Sequence, residues 1–233
     1  MQDDLARRLA QDSWFGSIAP AQRNLLMGQL RQRHTHAGER IYAFGSPPDA
    51  LYVVIEGQVR LVSYPRVGKQ VLHLVLMPPS WFGEVSVLDD GPRPNEAISV
   101  GTGILGYVAL ADFQKLAASA PALYRDLGIL SCRHQRASLK YMGLMMSQTP
   151  PARIALLLLR SPRSPAPRGR PTLHMSQEDL AGMVGVSRQS TNKTLKRLQA
   201  MRLIELQYGR IIVTDEARLK AVVQQADKIL NDA

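Results

Sequence analysis

Apolar positions change their spacing twice along this chain, and the changes divide it into three parts. Near the start, Leu5 and Leu9, then Leu25, Leu26 and Leu30, recur at helical intervals, and Pro20 suits a first helical turn. From residue 40 the texture becomes that of strands. RIYAF (40–44), ALYVVIEG (50–57), QVRLVSY (58–64), QVLHLVLM (70–77), EAISV (96–100) and ILGYVAL (104–110) are short, rich in β-branched and aromatic residues, and divided by Gly, Pro and Ser. Such spacing predicts a β-sandwich or barrel, with Glu56-Gly57 as a hairpin turn. From Pro121 to Met146 the period lengthens again. Leu123, Leu127, Leu130, His134, Ala137, Tyr141 and Leu144 step by four and three. That is the seam of a coiled coil, and the simplest partner is a second copy of the chain.

Thr149-Pro150-Pro151 interrupts this helix and predicts a hinge, followed by a short apolar helix over 152–160. SPRSPAPRGRP (161–171) reads as an exposed proline- and arginine-rich loop. Ser176 then caps a helix that runs to about Val184, Gly185 permits a tight turn, and Ser187 caps a second helix with Leu195 and Leu198 facing inward. Two short strand patterns around Tyr208-Gly209 complete a wing. Helix, glycine turn, basic helix and wing make a winged helix-turn-helix.

Charge strengthens that reading. The 233 residues carry a net charge of +10, and residues 148–233 hold 14 Lys and Arg against 7 Asp and Glu. The smaller part is the more basic, which points to a polyanion. The second helix of the motif offers its first side chains to base edges in the major groove. Arg188, Gln189 and Lys193 stand there; Arg suits guanine and Gln suits adenine. Ser187, Ser190 and Thr191 are short donors for phosphates, and Lys196 and Arg197 add positive charge. A solvated helix pair with ordinary charges is the plainer alternative.

The remaining chemistry narrows the class. Cys132 is the single cysteine, so no internal disulfide forms and no zinc or iron–sulfur site is built from thiols. The opening MQDDLARRLAQDSWF has acids and arginines where a secretory leader needs an apolar core, and the longest apolar runs are too short to span a bilayer. A cytoplasmic location without membrane association is therefore expected. No P-loop, nucleophile motif or metal-ligand pair suggests an enzyme, and His34, His36 and His73 are expected to hold no metal.

This order of parts resembles the Crp-Fnr family of bacterial transcription regulators over nearly the whole chain, from about Trp14 to about Thr214. The most specific stretches are GVSRQSTNKTLKRL (185–198) and FGEVSVLDDGPRP (82–94), the latter similar to the phosphate-binding cassette of cyclic-nucleotide domains. The resemblance implies an α+β fold: an N-terminal cupin-like β-roll sensor domain over 1–120, a dimerisation helix over 121–147, and a winged helix-turn-helix over 148–233. It implies a homodimer on a palindromic double-stranded DNA site, with RNA polymerase as a further partner through the loop 161–171. It also implies a nucleotide-like effector held by Gly83, Glu84, Val85 and Arg93. Glu84 matches the residue that holds a ribose hydroxyl, and Arg93 the one that pairs with a cyclic phosphate. Ser138 matches a hydroxyl residue of the long helix that reaches adenine.

Departures from the family pattern limit the effector. Arg93 is followed by Pro94-Asn95-Glu96-Ala97, where the cyclic-AMP binders have Ser or Thr and then Ala. Proline has no amide N–H, and Glu96 brings negative charge. Leu139 stands where a second hydroxyl is usual. These differences argue against cyclic AMP and leave two alternatives, another nucleotide-like anion or a roll without an effector. Gln189 replaces the usual acidic companion of the reading arginine, so a different half-site is expected. A cyclic-nucleotide-binding regulatory subunit of an enzyme is the rival from another class, and the winged motif argues against it.

Overall fold

The structure is a computed structural model that describes residues 2–66, 69–160, 169–173 and 175–231. The chain divides into two units, Met1–Ala137 and Ser138–Ala233. In the first, two long strands form the frame: β3 (Ala50–Arg66) and β6 (Glu96–Ala109) run antiparallel from Ala50 opposite Ala109 to Val62 opposite Glu96. Each is flanked differently along its two halves. β1 (Arg31–Thr35) and β2 (Arg40–Tyr42) pair with the later and earlier halves of β6, while β4 (Lys69–Leu76) and β5 (Ser80–Phe82) pair with the later and earlier halves of β3. The result is a six-stranded roll.

This corrects the expected hairpin at Glu56-Gly57. The segments 50–57 and 58–64 are one strand, and so are 96–100 and 104–109, with Leu110 opening the next helix. The register instead shifts at Glu56 and again before Gln58. The cause is a close approach of the two strands. A Cβ on Gly103 would lie 2.4 Å from the Glu56 carbonyl oxygen, and one on Gly57 (φ +83°) would lie 2.9 Å from that of Thr102. Glycine in both strands serves a bulge here, not a turn.

Strand alternation sorts the roll's side chains. Leu51, Val53 and Ile55 point to one face and pack with Trp14, Phe15, Trp81 and Val108. Tyr52 and Val54 point to the other and pack with Tyr42, Val59, Phe82 and Leu105. The first face is covered by α1 (Gln2–Leu9), α2 (Pro20–Gln29), α4 (Leu110–Ser119) and the start of α5 (Ala122–Ser147); α3 (Glu84–Asp89) follows β5.

The expected seam is also corrected. Leu123, Leu127 and Leu130 are 1–2% exposed within a single chain, inside the first core. His134 is turned to Glu84, and the Tyr141 hydroxyl donates to the Met183 carbonyl at 2.8 Å. The four-and-three spacing marks the face α5 lays on its own chain. Ala137 is exposed, and the side chain of Leu144 lies outside the described residues. A different row of apolar side chains faces outward, with Leu139 and Met142 52% exposed and Met146 81%.

In the second unit α6 (Pro150–Arg160) starts on its proline, as the first helical turn permits. Then come β7 (Thr172–Leu173), α7 (Gln177–Val184), α8 (Arg188–Ala200), the wing strands β8 (Ile204–Gln207) and β9 (Arg210–Val213), and α9 (Glu216–Asn231). The strands lie in the order β7-β9-β8. Ile154, Leu158, Leu180, Val184, Leu195, Leu198, Leu203, Ile211 and Leu219 form the core beneath them.

Candidate functional site

The turn between α7 and α8 is fixed by three local devices. Gly185 adopts φ +70°, the left-handed conformation that closes α7. Arg153 reaches from α6 to donate to the Val184 carbonyl at 3.0 Å and to the Gln148 carbonyl at 2.8 Å, placing a cation at the negative end of α7. Ser187 accepts from the Ser190 amide at 3.1 Å and so caps α8, while its hydroxyl donates to Ser190 Oγ at 3.0 Å.

The first turn of α8 is thereby capped with Arg188, Gln189 and Ser190 exposed, and Lys193, Lys196 and Arg197 exposed beyond them. Among the described residues, the side chains of Arg188, Gln189, Lys193, Lys196 and Arg197 make no hydrogen bond or ion pair. Donors held on a capped helix and left without internal partners are what a nucleic-acid surface requires. Thr191 is a correction. It is fully buried beside Leu195 and Leu198, so it cannot reach a phosphate. Asn192, which charge-based reading passes over, donates from Nδ2 to Gln177 Oε1 at 2.7 Å. Its signal was an amide four residues after Arg188. At the wing tip Tyr208 is fully exposed.

The cassette of the first unit has the opposite character. Gly83 adopts φ +84° between β5 and α3, and its carbonyl accepts from Arg93 Nη1 at 2.8 Å. A Cβ at that position would sit 2.7 Å from Nη1, so glycine is what admits the arginine. Arg93 Nη2 donates to Asp49 Oδ1 at 2.6 Å and to the Ala50 carbonyl at 2.7 Å. Its guanidinium lies 4.4 Å from the centre of the Tyr42 ring, with Tyr52 on a second side. The arginine side chain is 0% exposed, while Asp49 is 55% exposed. Burial pushes the phenols of Tyr42 and Tyr52 well above their ordinary range; beyond burial, the Asp49 carboxylate raises Tyr52 further.

Glu84 is also engaged. It is buried, and Oε1 lies 2.8 Å from Nδ1 of His134 on α5. Burial alone would lower the His134 pKa, but the hydrogen bond and charge of Glu84, with Asp12 beyond, outweigh it and raise it. Glu96 is turned to Tyr64, whose hydroxyl donates to it at 3.1 Å, and to Arg40, 3.5 Å away. Asn95 accepts from the Tyr42 hydroxyl at 3.0 Å. Val85 is 42% exposed, and Ser138 is exposed on α5. Among the described residues no cluster of His, Cys, Asp and Glu could hold a metal ion, and no helix is long and apolar enough to cross a membrane.

A winged helix-turn-helix with a bare cationic helix, following a β-roll in the sequence, defines a DNA-binding regulator with a sensor-type domain. Comparison with known proteins agrees. Residues 32–120 match the profile of the cyclic nucleotide-binding domain, and residues 152–222 that of the Crp-like helix-turn-helix domain. The chain is 27% identical over 215 residues to the CRP-like cAMP-activated global transcriptional regulator of Mycobacterium tuberculosis, covering 91% of this chain and 96% of that one. It is 27% identical over 208 residues to the cyclic AMP receptor protein of Thermus thermophilus, covering 89% and 95%. The fold is similar to that of FixK2 from Bradyrhizobium japonicum, with a TM-score of 0.73 at 22% identity over 83% of this chain and 96% of that one. The two matches, in this order, make the chain a transcription regulator of the Crp-Fnr type.

Proposed function

We propose that the protein binds a pseudo-palindromic DNA site as a homodimer, with α8 of each copy in successive major grooves about 34 Å apart. The observation that carries this is the row of exposed donors at the start of α8 that have no partner among the described residues. Selection of binding sites from random DNA tests it. The expected product is an inverted repeat, and a site without dyad symmetry would refute the dimeric mode. Contact with RNA polymerase through segment 161–171 belongs to the same reading; residues 161–168 lie outside the described part of the chain.

The dimer seam belongs on the outward face of α5. Gly128, Cys132, Gln135, Leu139, Met142 and Met146 also step by four and three, and the last three are large exposed apolar side chains. Leu139→Glu with Met142→Glu should give folded monomers by light scattering. Leu127→Glu should instead unfold the roll, since it places a charge in the core.

For the sensor, the reading best supported is a roll complete without an effector. Both residues that match nucleotide ligands are already paired, Glu84 with His134 and Arg93 with Asp49. One observation favours the second reading, a nucleotide-like anion: Arg93 Nε is buried and has no hydrogen-bond partner among the described residues. Calorimetry with cyclic AMP and related nucleotides separates them. Absence of heat, with full operator binding by the unliganded protein, supports the first; binding abolished by Arg93→Lys supports the second.

A further inference from the structure

We infer that Gln177 is a positioning residue for sequence reading, holding Asn192 of α8 so that the two amides link a phosphate to a base edge. The inference rests on the DNA-reading role proposed for α8. Asn192 stands between Arg188 and Lys196 in one row of residues four apart, on the flank of α8 that meets α7. It is half-buried, whereas Arg188 and Lys196 are exposed. It therefore lies at the border of the reading surface, where side-chain direction decides whether it reaches DNA.

Its direction is set from outside its own helix. Gln177 is the first residue of α7, directly after the Ser176 cap, and its Oε1 accepts the Asn192 Nδ2 bond at 2.7 Å. With Nδ2 tied back, Oδ1 is the amide atom of Asn192 left without a partner among the described residues. An acceptor there suits an amino group in the major groove, adenine N6 or cytosine N4. The Nε2 of Gln177 is not used in this bond. It sits at the positive end of α7, a position that favours a phosphate oxygen. A phosphate contact made by Gln177 thus fixes the amide that Asn192 turns to the base, which is how a residue without base contact shapes specificity.

The test uses the full-length protein, site selection from random DNA, and binding measured on the selected operator and its single-base variants. Asn192→Ala and Gln177→Ala should each lose at least about fivefold discrimination at the same base pair of each half-site, and the double variant should lose no more than the worse single one. Gln177→Glu keeps an acceptor for Asn192 Nδ2 but sets a carboxylate beside phosphate. It should keep the preference at that base pair while binding every sequence more weakly. The proposal is overturned if Asn192→Ala leaves every preference unchanged. It is overturned equally if the two alanine variants act at different base pairs, or if Gln177→Glu loses the preference as fully as Gln177→Ala. A folded wild-type protein that selects no sequence would overturn the reading role of α8 itself, together with this link.

Discussion

The cassette and the recognition helix both concentrate charge, and they dispose of it in opposite ways. In the cassette Arg93, Asp49, Glu84 and His134 spend their charges on one another. On α8 the cations have no partner among the described residues. The difference separates charge that holds a fold from charge held ready for a partner. A buried guanidinium must be neutralised by the chain, because an unpaired one is too costly in a low-dielectric interior. An exposed one costs little to leave bare, so it is available to a phosphate or a guanine. Residue type alone does not distinguish the two cases; burial and partners do.

Removal of a cassette charge should therefore damage the fold first. Arg93→Ala deletes a buried group that bonds two carbonyls and a carboxylate, and should cost about 3–5 kcal/mol of stability in urea denaturation. Asp49→Ala should cost a similar amount, about 3–5 kcal/mol, because it leaves the buried guanidinium with carbonyl partners but no countercharge. If Arg93→Ala melts like the wild type, the arginine does not hold the cassette, and the contrast with α8 disappears.

The converse holds on α8. Arg188→Ala should leave stability within about 0.5 kcal/mol and cost about 1–3 kcal/mol of operator binding, relaxed at one base pair of each half-site. Thr191 sharpens the boundary within the same helix. Its hydroxyl is buried without a hydrogen-bond partner among the described residues. Thr191→Val should stabilise the unit by about 1 kcal/mol and leave DNA affinity unchanged. A loss of affinity in that variant would return Thr191 to the phosphate-binding set.

These cases show what was legible in the sequence. The winged motif was, because its signals are local: Ser176, Gly185, Ser187 and the Tyr208-Gly209 turn act within a few residues of themselves. The β texture was legible for the same reason. The strand count was not, since the two bulged frame strands depend on a contact between Gly57 and Gly103, 46 positions apart. The direction of α5 was not either. A four-and-three apolar row fits a partner helix and a sheet equally well, and here Trp14, Trp81 and Phe113 cover it. Asp49 carries no motif of its own; its role appears only when the fold brings it to Arg93, 44 positions away. Asn192 was hidden by the absence of charge.

The pairing of His134 with Glu84 offers the finest test of the comparison, because it is the one cassette contact whose charge is set near neutral pH. The folded pKa of His134 lies above its ordinary value, despite burial, through Glu84 and then Asp12. A group whose pKa is raised by folding adds stability fully below its unfolded pKa, and that stability is lost as pH rises through the folded value. The roll should therefore melt at falling temperature as pH rises from the ordinary histidine value of 6.5 through the higher folded one. The effect should be the smallest of those considered, below about 4 °C, because the His134 side chain is 43% exposed and solvent screens the pair. His73 works in the other direction, since burial lowers its pKa and its contribution is lost as pH falls. Subtracting the profile of His134→Gln from that of the wild type cancels His73 and isolates the pair. A difference that narrows with rising pH is expected, as the wild type loses what the variant never had. A difference that stays constant would mean that folding leaves the His134 pKa unchanged, and one that widens with rising pH would mean that His134 is held neutral in the fold and serves Glu84 only as a hydrogen-bond donor.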